Sequence, residues 1–141
     1  MVEDQAGRDH FTLPSKLKAT NAVINVDAEG ECFKYALLSI LHYNDLRKHQ
    51  RPRKNSYRQW EGELKEVEGD AIRIGDIPNI ERANNVKINV HVWSGNNLVG
   101  IRYNNPHVIA PRTINVLLIA KGVEYHYCGI TSLRPEFNQV G

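Results

Sequence analysis

Asn25-Val26-Asp27-Ala28-Glu29-Gly30-Glu31-Cys32-Phe33-Lys34-Tyr35-Ala36-Leu37-Leu38-Ser39-Ile40-Leu41 leads a polar, glycine-containing turn into one cysteine and then an apolar run. From Phe33 the apolar residues Phe33, Ala36, Leu37, Ile40 and Leu41 recur at the i, i+3, i+4, i+7, i+8 spacing of a helix with one buried face. Cys32 opens that helix. In the first turn its sulfur meets free backbone N–H groups and the positive end of the helix dipole, which favour thiolate over thiol. The same stretch also fits a cysteine that only begins a core helix, since cysteine is among the most buried residue types. A partner elsewhere in the chain has to separate the two.

Bulk properties bound the answer. The chain of 141 residues is expected to form one domain, residues 21–141, with a core large enough to stand without disulfide or metal. Its 41% hydrophobic and 24% charged residues are those of an ordinary globular protein, and no apolar run approaches the roughly 18 residues of a membrane span. Residues 1–20 are polar apart from Phe11 and Leu13 and read as a flexible arm, neither signal peptide nor anchor. Two distant cysteines, Cys32 and Cys128, form neither a disulfide framework nor a zinc-ligand pair, so no metal and no cofactor are expected. They suit a reducing compartment, cytoplasm or nucleus. Net charge is +2, and Arg47-Lys48-His49-Gln50-Arg51-Pro52-Arg53-Lys54 carries the local excess. With no glycine or aromatic residue interleaved to stack a base, that loop reads as a solvated connection rather than a nucleic-acid site.

In chain order, Ala22 to Val26 suits a short strand, and the Phe33 helix is expected to end near Arg47. Ser56 is placed to cap a second helix over residues 57–66, and Asp76 with Pro78 starts a short third one over residues 77–83. Val86, Ile88, Val90 and Val92 then alternate with polar residues, and residues 98–103 complete a hairpin across Ser94-Gly95-Asn96-Asn97. Ile114 to Ile119 is nearly continuous in apolar residues, as a central strand requires, and Lys121-Gly122 turns it into residues 123–130. Helices followed by a mostly antiparallel sheet make an α+β domain.

The last strand, Val123-Glu124-Tyr125-His126-Tyr127-Cys128-Gly129-Ile130, puts Glu124, His126 and Cys128 on one face and the tyrosines on the other, expected to be the buried one. A cysteine at a helix start and a histidine on a distant strand form the thiol–imidazole arrangement of papain-like peptidases, in which histidine takes the thiol proton and hands it to the leaving amine. His42 sits at the far end of the first helix, about 15 Å from Cys32 along the axis, too far to serve. His91 and His107 are the other candidate bases. Cys128, mid-strand and without a helix dipole, reads as packing.

Cys32-Phe33-Lys34-Tyr35 with Leu41-His42, Tyr57 with Leu64, Asp76-Ile77-Pro78 with Glu81, Asn84-Asn85-Val86, Ile114 to Ile119, and His126-Tyr127-Cys128-Gly129-Ile130 occur in this order over residues 25–133. The stretch resembles a domain of Maverick/Polinton-type transposable-element polyproteins, often found beside a family-B DNA polymerase. Such domains resemble papain-fold cysteine peptidases related to ovarian-tumour-type and herpesvirus-tegument-type deubiquitinases. The resemblance implies a nucleophile helix packed on the sheet, Cys32 as nucleophile and His126 as base. Two positions depart from the pattern: Glu29 stands where Asp or Asn is usual, and Gly129 where an aromatic residue is common.

For the residue that orients His126, Glu124 on the same strand face is the first candidate and Asn138 the second. Asn25 is a candidate oxyanion donor through its side-chain amide, beside the backbone N–H of Cys32. The activity implied is that of a cysteine peptidase or isopeptidase, with ubiquitin or a ubiquitin-like protein as substrate and partner. Asp27, Glu29 and Glu31 would receive the arginine of an Arg-Gly-Gly tail, and Gly129 would widen the channel. The same three acids also favour the helix dipole without any substrate. Self-processing of a transposon polyprotein and a non-catalytic papain-fold binding module remain as alternatives.

Overall fold

A computed structural model of the chain describes residues 11–28, 30–69, 72–121 and 124–133. In order these form α1 (Ser15–Lys18), β1 (Val23–Ile24), α2 (Cys32–Leu41), α3 (Ile77–Asn84), β2 (Val86–Ser94), β3 (Asn97–Tyr103), β4 (Arg112–Lys121) and β5 (Glu124–Ile130). The five-stranded sheet runs β1-β5-β4-β2-β3. Only β2 and β4 pair in parallel; the other neighbours are antiparallel. This is the expected α+β domain, with the apolar β4 central. Among the described residues no helix is long and apolar enough to cross a membrane.

Both faces of the sheet are covered, which explains why β4 is apolar on successive residues rather than alternating. On one face Ile88, Val90, Ile114, Val116 and Tyr127 pack with Phe33, Ala36 and Leu37 of α2 and Ile77 and Ile80 of α3. On the other, Trp93, Leu117, Ile119, Cys128 and Ile130 pack with Leu17 and Ala22, joined by Phe11 and Leu13. Residues 11–20, read from the sequence as part of an arm, therefore form a wall of the second core; residues 1–10 lie outside the described residues. The face of β5 that carries Cys128 is buried like the face that carries Tyr127, while Tyr125 is exposed.

The helix at Cys32 forms as its spacing requires, but it ends at Leu41, not near Arg47. His42 leaves helical geometry because three contacts hold it: Asp45 at 2.8 Å on Nδ1, Glu63 at 2.9 Å on Nε2, and Trp60 stacked at 3.9 Å between ring centroids. The second helix is replaced by a 3-10 stretch, Lys54–Trp60, with no side-chain cap from Ser56. Its centre, Tyr57, is buried and its hydroxyl donates to the Arg51 carbonyl at 2.6 Å, so tertiary ties override the helical period. α3 starts beside Pro78 as expected and stops at Asn85, whose left-handed φ of 54° terminates the helix. Buried Glu81 fastens α3 to the hairpin, accepting from the Ile88 amide at 2.8 Å and from the Tyr103 hydroxyl at 2.6 Å.

Gly129 corrects one reading. Its α carbon lies directly beneath α2, where a Cβ would come within 2.8 Å of Ile40 and closer still to the Ser39 hydroxyl. The missing side chain lets the helix approach the sheet and opens no substrate channel. Gly129→Ala is expected to cost about 1–3 kcal/mol through overpacking, read as a lower midpoint in chemical denaturation; an unchanged midpoint would show that α2 sits farther from β5.

Candidate active site

β1 pairs with the end of β5, Val23 opposite Ile130 and Ile24 opposite Gly129. Strand alternation then turns Val23 and Asn25 to the side shared by Ile130, Cys128 and His126. The Asn25 side-chain oxygen lies 2.7 Å from His126 Nε2 and 3.8 Å from the Cys128 sulfur. Its amide nitrogen donates to the Phe11 carbonyl at 2.7 Å. The Phe11 ring stacks on the His126 ring, 4.4 Å between centroids and 8° from parallel.

These contacts fix a proton. Because the Asn25 nitrogen must face the Phe11 carbonyl, its oxygen faces the imidazole, and an oxygen accepts only from an N–H. His126 therefore carries hydrogen on Nε2, and in the neutral ring the lone pair is on Nδ1. Nδ1 makes no hydrogen bond among the described residues. Burial pulls the imidazole down from its usual 6.5 to about 4, against a weaker upward pull from the Asp27 carboxylate. The ring is thus a neutral base at pH 7.

Cys32 is the first residue of α2 and is half-buried. Phe33 meets Tyr127 edge to face at 4.8 Å, whereas Ser39 and Ile40, near the helix end, lie over Gly129. α2 therefore runs alongside β5 with its N-terminus toward the His126 end. The Cys32 thiol is near enough to add to the upward shift of Tyr127 and of Cys128, both driven first by burial. No hydrogen bond joins His126 to Cys32; the structure gives the imidazole to Asn25 and Phe11.

No family model matches the chain, and none of the curated proteins or solved structures compared with it matches either.

The remaining expected site residues are distributed as follows. Glu124, the first candidate to orient the ring, is exposed at the start of β5 and does not bond His126, whose Nε2 is taken by Asn25. Asn25, the expected oxyanion donor, uses one N–H of its amide on the Phe11 carbonyl and its oxygen on His126. Asp27 is exposed beside Asn25, its amide donating to the Pro52 carbonyl at 2.9 Å. Glu31 stands at the N-cap of α2, with its carboxylate 3.9 Å from the Lys34 ammonium. Glu29 and Asn138 lie outside the described residues. Cys128 is fully buried, and burial pushes its thiol up, in keeping with a packing role. His91 is buried with Nε2 unpartnered, and its burial lowers its proton affinity; His107 is exposed. Phe11 was missed altogether, since an isolated aromatic residue in a polar segment carries no local signal.

The buried imidazole makes stability depend on pH. The unfolded chain protonates near 6.5 and the folded one near 4, so the contribution is whole above 6.5 and is lost as pH falls through that window. The full loss is of order 3 kcal/mol. Chemical denaturation from pH 7 to 4 is expected to show this acid limb in the natural protein and a flatter one in His126→Gln. Parallel limbs would place the titration elsewhere.

Proposed function

We propose that the chain is a cysteine-type peptidase or isopeptidase of papain-like fold, with Cys32 as nucleophile, His126 as base and Asn25 as the amide that orients the base. The observation carrying this reading is the 2.7 Å bond between His126 Nε2 and Asn25, which leaves Nδ1 as the basic atom on a neutral ring. A cysteine, a histidine and an asparagine in these roles form one of the known variants of the nucleophile–base–orienter triad.

The steps follow from the roles. Nδ1 takes the Cys32 thiol proton as the sulfur attacks the scissile carbonyl, forming the C–S bond of a tetrahedral intermediate. The Cys32 backbone N–H, at the open end of α2, donates to the oxyanion. The imidazolium returns its proton to the leaving amine as the C–N bond breaks, and water then hydrolyses the thioester with the same base. Thiol–imidazole bonds commonly tighten only when substrate is bound, which accommodates a free structure in which His126 and Cys32 keep separate neighbours.

The resemblance supports the Gly-Gly end of ubiquitin or a ubiquitin-like protein as substrate, within a transposable-element polyprotein. The binding-module alternative draws on one observation, the Phe11 ring stacked over His126 with no bond to Cys32.

Incubation with ubiquitin bearing a thiol-trapping C-terminal alkyne, followed by intact-mass measurement, separates these readings. An adduct is expected on the natural protein and on Cys128→Ala, none on Cys32→Ala, and labelling about 100-fold slower or less on His126→Ala. Fast alkylation of Cys32 by iodoacetamide without a ubiquitin adduct would keep the peptidase and change its substrate. A Cys32 slow toward both reagents would leave the binding module.

A further inference from the structure

Two open depressions meet at Asn25 and Pro52, one of about 740 Å³ and one of about 700 Å³. Arg53 and Lys54 line the first, with Asp27; Lys18, Lys48 and Arg51 line the second. Among the described residues lining them, Asp27 is the only carboxylate, against five cationic side chains in a chain whose net charge is only +2. A concave surface lined by one sign of charge concentrates its field and draws in ligands of the opposite sign.

The fold fixes one of these cations and the backbone that carries another. Arg51 lies over the Tyr43 ring at 3.6 Å and donates to the Tyr43 carbonyl at 2.9 Å. A backbone bridge between Asp27 and Arg53, with the Asp27 amide on the Pro52 carbonyl, ties the basic loop to the segment that leads into Cys32. Lys18, Lys48 and Arg53 form no ion pair among the described residues, and all three are exposed. The segment read from sequence as a solvated connection is thus half of a cleft that passes the His126–Asn25 pair.

We infer that this paired cleft binds an acidic polypeptide segment, one bearing Asp or Glu side chains, and carries it past Asn25. A polypeptide fits better than a nucleic acid. Among the described rings at the cleft, Phe11 is stacked on His126 and Tyr43 lies under Arg51, which leaves nucleobases only the small His49 imidazole as a platform. Of the three acids expected to receive an arginine, Asp27 lines the cleft and Glu31 is not among its described lining residues, while Glu29 lies outside the described residues. That the acidic segment is the substrate rests on the peptidase reading; its binding does not.

Fluorescence anisotropy on the full-length Cys32→Ala protein tests this, with a labelled short peptide of alternating Glu and Gly as the probe. Gln–Gly and Lys–Gly peptides and an oligothymidylate of equal charge serve as the other arms. The acidic peptide is expected to bind about ten-fold or more tighter than each of them, and less tightly as salt rises. Lys48→Glu with Arg53→Glu should remove that preference without lowering the melting temperature, while Arg82→Glu with Arg112→Glu, the same charge change elsewhere, should leave it in place. No preference, equal losses in the two double variants, or tighter binding of the oligothymidylate would overturn the inference. Acidic-peptide binding that survives while Cys32 proves unreactive would instead overturn the peptidase and keep the cleft.

Discussion

One side-chain amide ties the site together. Asn25 joins a backbone carbonyl of the N-terminal segment to the imidazole of β5, and so connects parts of the chain that lie 14 residues before it and 101 after it. Each bond sets the sense of the other: the Phe11 carbonyl decides which way the amide points, and the amide decides which imidazole nitrogen is protonated. Burial under the Phe11 ring adds the third condition, a ring kept neutral. Because β1 is the edge strand beside β5, the sheet itself brings Asn25 to this position.

Local patterns were legible in the sequence where one element decides its own structure. The apolar spacing after Cys32 marked α2, the alternation from Val86 marked β2, and the nearly continuous apolar run from Ile114 marked a central strand. What failed was decided by contacts between segments. The helical period from Tyr57 lost to the hydroxyl bond with Arg51 and the stack of Trp60 on His42. Residues 11–20 carry too few apolar side chains to announce a packed segment, yet Leu17 is wholly buried.

The site was read in part for the same reason. Cys32 and His126 are chemical types in recognisable local settings, and the structure places them where those settings implied, at the first position of α2 and on β5. The orienting role went to Glu124 because strand alternation sees only neighbours on one strand, whereas Asn25 reaches the ring from the next strand over. Gly129 was assigned to substrate because its absent side chain suggested space; Ser39 and Ile40 fill that space. The basic loop showed its charge but not its position, which depends on the bridge from Arg53 to Asp27. Charge lining a cleft acts on what arrives there, so the placement of that loop bears on ligand choice more than on fold.

His126 presents a lone pair on Nδ1 because Asn25 holds hydrogen on Nε2. Nitrogen-15 NMR of the histidine side chains at pH 7 reads this directly, with Asn25→Ala used to assign the effect. The expected spectrum shows a neutral His126 almost wholly in the Nε2–H form, becoming a mixture of tautomers in the variant. A ring protonated on Nδ1, or a spectrum unchanged by Asn25→Ala, would contradict it.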